Sequence, residues 1–346
     1  MKNLPAMLAA TVLLSLGCLA TSARAQGSLT PPGAPAPTMK TLDQLEPRTA
    51  VTAVNTPGGS GYAFIISQPG SYYLTTNLVS STLGAIEILT NNVALDLNGF
   101  TIFGGGGQVN GVYLPNAQTN ILVQNGTLYG LKNSGVLSAS IASWNQVFER
   151  LNISSCGNGI YLSGVGVVRN CQLENNSARG VFCYSGGVVS ACTVVNSGDL
   201  GVFVGLNGTV TDCVVQNSAS YGIWLQPGKV SGCWVRNSKL SGIFANAPGC
   251  TVIDNTCIGN NTSADSSEAG IFINDANNRV EDNHVAGSGV AGIKVSGSYG
   301  NNLIIKNSVT GNGANNYVVP GTQLVGPLIP VTGSLTNASP WANFSF

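Results

Sequence analysis

Six of the chain's 14 acidic residues crowd into one stretch: Asp254, Asp265, Glu268, Asp275, Glu281 and Asp282. Carboxylates so concentrated can share a proton, bind a hard cation such as Ca²⁺, or form a polar rim that satisfies turn amides. Asp254 and Asp282 directly precede Asn255 and Asn283, which stand 28 residues apart. If that interval is one winding of the chain, the two carboxylates lie on adjacent strands about 4.8 Å apart. Asp254, Glu281 and Asp282 are then the candidate Ca²⁺ ligands. A second group is aromatic. Tyr161, Phe182, Phe203, Trp224, Phe244 and Phe272 each follow a Gly-Val or Gly-Ile step. Alternation along a strand sends these rings outward. A line of rings can stack on itself, be covered by an apolar tail or second subunit, or offer a platform for the apolar faces of sugars.

What must position these residues is a repeat. The Gly-Val/Ile step recurs at Gly159, Gly180, Gly201, Gly222 and Gly242, at spacings of 21, 21, 21 and 20. Cys171, Cys192, Cys213 and Cys233 keep the same period, and the column continues as Asn255, Asn283 and Asn307. Backward it is expected to run through Leu151, Asn125 and Asn98. Within each unit apolar residues fall at every second place, with β-branched enrichment and Gly, Asn, Ser and Pro as punctuation. Short strands recurring every 21 residues predict an all-β solenoid of about ten coils, with like side chains in vertical columns. The Cys column then reads as small buried thiols. Vertical neighbours are close enough to bridge, but their parallel Cβ vectors strain a disulfide. Cys250 and Cys257 are the pair to test for one.

Charged residues are 8% of the chain and the formal net charge is zero. Nucleic-acid binding, which needs a basic stripe, is not expected. Residues 1–25 read as a signal peptide, with Lys2, an apolar run, and Ala23-Arg24-Ala25 before a cut at Gln26. A secreted or periplasmic location follows, and no later stretch is long and apolar enough to span a membrane. The Pro-rich segment 26–40 is expected as a flexible lead-in, 41–84 as an N-terminal cap, 85–317 as the solenoid and 318–346 as a C-terminal cap or tail.

The segments Asn175 to Val181, Asn196 to Val202, Asn217 to Ile223 and Asn237 to Ile243 share the form Asn-x-x-x-x-Gly-Ile/Val. In them the chain resembles the pectate-lyase-like right-handed parallel β-helix family. The resemblance implies that Asn175, Asn196, Asn217 and Asn237 form a hydrogen-bonded asparagine ladder. It implies little about chemistry, because the fold hosts lyases, hydrolases, adhesins and scaffolds. Family lyases pair carboxylates and Ca²⁺ with a basic proton abstractor, a part that Arg279 or Lys294 could take beside Asp254 and Asp282. The Asn-Thr-Asp, Asp-Asp, Gly-His-Gly and Arg-Ile-Lys segments of the family's pectin hydrolases do not occur. His284, the chain's one histidine, reads as an outward surface residue. The expectation is a secreted, non-catalytic protein that binds polysaccharide or another surface component along the aromatic face. The alternatives are a lyase or glycosidase acting near residues 254–282, and a structural scaffold.

Overall fold

A computed structural model describes residues 48–331, 333 and 339–346. The expected signal peptide and lead-in lie outside the described residues. Among the described residues there is no helix, and the strands wind into a solenoid of about 13 turns, close to the ten expected.

Each coil contributes three strands. One coil consists of Val181–Cys183, Gly187–Ser190 and Thr193–Val195, and the next of Val202–Val204, Gly208–Thr211 and Val214–Gln216. Each strand pairs in parallel with its counterpart, for example Phe182 with Phe203, Val189 with Val210 and Val194 with Val215. The first face is a twelve-stranded sheet running from Tyr62–Ile66 to Asn315–Val318. The second and third faces join as one sheet, because Thr119–Tyr129 and Trp144–Ser154 run unbroken across the corner between them.

The repeat markers have separate physical origins. At the Gly of each Gly-Val/Ile step a Cβ has no room. On Gly180 it would lie 2.5 Å from the carbonyl oxygen of Gly201, one coil on, and 2.3 Å from Val194 Cγ1. The following Val or Ile points inward and is fully buried, as at Val181, Val202, Ile223 and Ile243. One residue turns the chain from the second face to the third, and it is left-handed: Asn170, Ala191, Asp212, Asp254, Asp282 and Lys306 all have φ between 50° and 59°. Asn and Asp tolerate this conformation better than other non-glycine residues.

Inward side chains from all three faces form one hydrophobic core. The Cys column is present and buried within it, and all eight described cysteines are free. Cys250 and Cys257, the expected bridge candidates, both remain thiols. Leu151 continues the column backward, but its partner is Gly126 rather than Asn125. Asn125 belongs one place earlier, at the left-handed corner.

The ends are more regular than their sequences. Of the expected cap, Gly70–Tyr73 already pairs with Val93–Asp96 in the stack. In the tail, Leu324–Val325 adds a rung to the second face and Asn343–Ser345 one to the third. Asn343 extends the buried asparagine column that runs through Asn255, Asn283 and Asn307, its Oδ1 accepting from Asn307 N and Nδ2 at 3.0 Å each.

Candidate functional site

On the first face the six predicted aromatic positions are in direct register: Tyr161, Phe182, Phe203, Trp224, Phe244 and Phe272. They are less exposed than their alternation implies. Phe203 and Phe244 are only 5% and 6% exposed, which corrects the expectation of six exposed rings. The cause is mutual stacking. Ring centroids are 4.7 Å apart for Tyr161–Phe182 and 4.5 Å for Phe182–Phe203, nearly parallel. Phe203 is enclosed between Phe182 and Trp224, and Tyr221 stacks on Phe244 at 4.6 Å. Rings stacked along the axis turn their edges, not their faces, to solvent. Trp224 is the exception. It stands edge-on to Phe203 at 80° and is tilted 57° to Phe244, and its indole Nε1 is buried without a hydrogen-bond partner among the described residues.

Charged side chains border the strip. The Arg179 guanidinium lies 4.6 Å from the Phe182 centroid, and Lys294 Nζ lies 5.3 Å from that of Phe272. Such cation–π contacts contribute about 0.5–1 kcal/mol at exposed sites. The 28-residue coil is longer than its neighbours, and its extra residues fold as a loop over Thr262–Glu268 that is fastened to the strip. Lys294 Nζ donates to Ser266 O at 2.7 Å, and Tyr221 Oη donates to Glu268 Oε1 at 3.0 Å. Ser241 Oγ donates to the other Glu268 oxygen. Burial, with the Glu268 charge beside it, pushes the Tyr221 hydroxyl up. Arg179 and Tyr221 were not singled out from the sequence, and Glu268 was picked out only as a member of the acidic stretch. Tyr221 and Glu268 lie 47 residues apart, and only the length of the intervening coil hinted at a loop.

The acidic set is only partly assembled. Asp254 and Asp282 are neighbours at the left-handed corner, because Ile253 pairs with Glu281. Glu281 is buried and held by Arg279 and by Lys306 Nζ at 2.8 Å. Its hydrogen bond from Lys306, followed by that from Arg279, keeps this carboxyl below the usual glutamate range. Lys306 Nζ also lies 3.9 Å from Asp282 Oδ2. Lys294, by contrast, is on the first face, so it does not join Arg279, Asp254 and Asp282 as a base. No three His, Cys, Asp or Glu side chains among the described residues are grouped to hold a metal ion. His284 lies in the third face, in register with Thr256 and Ser308.

The asparagine ladder forms at Asn175, Asn196, Asn217 and Asn237. The Asn196, Asn217 and Asn237 amides each donate to the preceding Oδ1, at 2.8, 2.9 and 3.3 Å in turn. All four residues have φ near 55°, so the amides also mark left-handed turns.

Comparison with known proteins places this geometry. The A-module of the Azotobacter vinelandii mannuronan C-5 epimerase AlgE4 superposes with a TM-score of 0.56 at 14% identity, covering 74% of this chain and 90% of that one. The Dettilon tailspike protein superposes at 0.56 and 16% identity, over 76% of this chain and 61% of its own. The periplasmic alginate epimerase AlgG does so at 0.51 and 10% identity, over 85% and 80%. At these identities the likeness is one of fold. No curated protein matches the sequence. No helix among the described residues is long and apolar enough to cross a membrane. The family model described as "Right handed beta helix region" matches residues 58–228 and 189–323, and the chain belongs to that family.

Proposed function

We propose that the protein is a secreted or periplasmic binder of extracellular polysaccharide that does not cleave its ligand. The observation that carries this reading is the first-face strip. Aromatic side chains stand one per coil in axial register, with partly exposed Tyr161, Phe182, Trp224 and Phe272 between the cations Arg179 and Lys294. A linear glycan lying along the axis meets the same surface chemistry at each coil. Trp224, edge-on to Phe203 and partly exposed, is the strip residue best placed to offer indole carbon surface to a sugar. Two structural neighbours named as epimerases of mannuronan and alginate support the polysaccharide class. The periplasmic neighbour and the leader-like residues 1–25 support the location. Against catalysis, Glu281 is neutralised by two cations, and Lys294 is tethered to Ser266 on another face from Asp282.

The test is a panel of polysaccharides screened with the full-length mature protein, with and without Ca²⁺. At least one member is expected to bind without change in chain length or sugar composition, and Trp224→Ala is expected to weaken that binding about tenfold. Depolymerisation or epimerisation that Asp282→Asn abolishes would replace this reading with an enzyme active at the corner. Silence across the panel would leave a structural scaffold.

A further inference from the structure

A second surface, away from the strip, has the form of a built groove. It lies on the second face of the early coils as a shallow groove open to solvent, with a volume of about 520 Å³. Its floor is a column of outward side chains in register, Ser71, Ala94, Leu122 and Val147. The two smallest stand at one end and deepen it. One wall is a ladder of carboxamides at the preceding corner. Asn120 Nδ2 donates to Asn92 Oδ1, and Asn145 Nδ2 to Asn120 Oδ1, each at 2.7 Å. One N–H on each donor amide is thereby left for a ligand. Trp144, the residue before Asn145, is 58% exposed.

The opposite wall carries charge. Glu149 is buried and sits between Arg169 Nε at 2.6 Å and Arg150 Nη2 at 2.7 Å. Two guanidiniums on one carboxylate leave a net positive charge. Both arginine side chains are half exposed, and Arg169 lines the groove with its Nη groups uncommitted among the described residues. Guanidinium is the side chain best shaped to receive a carboxylate in two parallel hydrogen bonds. On one coil, therefore, the groove holds an anion receptor. Over several coils it holds an apolar floor with amides at the axial repeat of about 4.8 Å. A folded protein would meet too shallow a surface, and the strands here already have their neighbours. A chain molecule with carboxylates and ring faces matches the groove's length and its chemistry.

We infer that this groove binds an anionic polysaccharide, with a sugar carboxylate on Arg169 and hydroxyls on the Asn92–Asn120–Asn145 ladder. The inference rests on the polysaccharide reading above, but assigns a separate site and a sugar class. It is tested by titrating the full-length mature protein with short oligouronates and, in parallel, with neutral dextran oligosaccharides. Ala94→Trp fills the floor without touching the ion pairs, Arg169→Gln removes the receptor, and Thr209→Trp places the same bulk in the same outward column beyond the groove. Ala94→Trp and Arg169→Gln are expected to weaken oligouronate binding at least tenfold, and Thr209→Trp to leave it within twofold. Wild-type affinity should also fall with added salt. If Arg169→Gln lowers the unfolding temperature, Ala94→Trp decides. Unchanged oligouronate affinity in Ala94→Trp would overturn the groove, as would equal wild-type binding of oligouronate and dextran. If the wild type binds glycans but the groove variants bind them equally well, only the groove fails. If it binds none, the polysaccharide reading fails with it.

Discussion

One inward column at the corner of the second and third faces is filled in two ways. From Cys171 to Cys233 it holds thiols, and from Asn255 to Asn343 carboxamides. The thiols make long contacts: Cys213 Sγ lies 3.2 Å from Thr211 O and 3.7 Å from Val189 O. Hydrogen bonding to Cys192, with burial behind it, holds the Cys213 thiol up in its neutral form. The amides saturate the same space. Asn283 Nδ2 donates to Val252 O and Glu281 O at 2.9 Å, while its Oδ1 accepts from Asn255 N and Nδ2 at 3.0 Å. The backbone is nearly the same in both halves. The difference shows that the winding specifies a small inward group at this position and leaves its polarity free. An amide is admissible only where its neighbours complete its bonds.

The largest expected difference between the halves is therefore in truncation. Asn283→Ala orphans Asn255 N and removes one hydrogen bond each from Val252 O and Glu281 O, and is expected to cost about 4 kcal/mol in urea unfolding, at about 1–3 kcal/mol for the buried unsatisfied group and about 0.5–1.5 kcal/mol for each lost bond. Cys213→Ala removes one sulfur from an apolar column and is expected to cost about 1 kcal/mol. Equal costs would abolish the distinction. Exchange sharpens it. Cys233→Asn abuts the ladder, where Cys233 N already donates to Asn255 Oδ1 at 3.0 Å. It is expected to fall within about 1 kcal/mol of wild type, whereas Cys213→Asn, flanked by thiols on both sides, is expected to cost about 2 kcal/mol.

The smallest effect concerns pH. Glu281 lies in the amide half, and its carboxyl is depressed in the fold by Lys306 and Arg279. A depressed folded value means the contribution is complete above the ordinary glutamate value, 4.5, and is lost as pH falls through the lower folded value. Lys306→Gln is expected to flatten the fall in unfolding temperature below pH about 4.5, the ordinary glutamate value. An unaltered acid limb would show that the ion pair contributes nothing.

Much of this architecture was legible because two markers hold one period. A Gly forbidden a Cβ and a Cys forced inward repeat together, so register could be read without knowing any contact. The backward extension failed at Asn125 because corner and column residues are adjacent and both favour Asn. The link from Asn307 to Asn343 was hidden by an insertion that breaks the period. At the candidate sites, alternation told which way the rings point but not that they stack on one another. Asp254 and Asp282 looked like paired catalytic carboxylates, yet their left-handed φ already accounts for Asp at both places. The groove escaped notice because small floor residues such as Ser71 and Ala94 carry no chemical signal in a sequence.

The account depends on like residues standing above one another in columns. Spin labels on cysteines substituted at Thr193 and His284 test this most directly, since the native thiols are buried and slow to react. The two positions share an outward column through Val214, Trp234 and Thr256, four coils apart. Double electron–electron resonance is expected to give a single narrow distance near 19 Å, four rises of about 4.8 Å. A broad distribution, or a distance beyond about 35 Å (more than seven such rises), would contradict the winding and every site built on it.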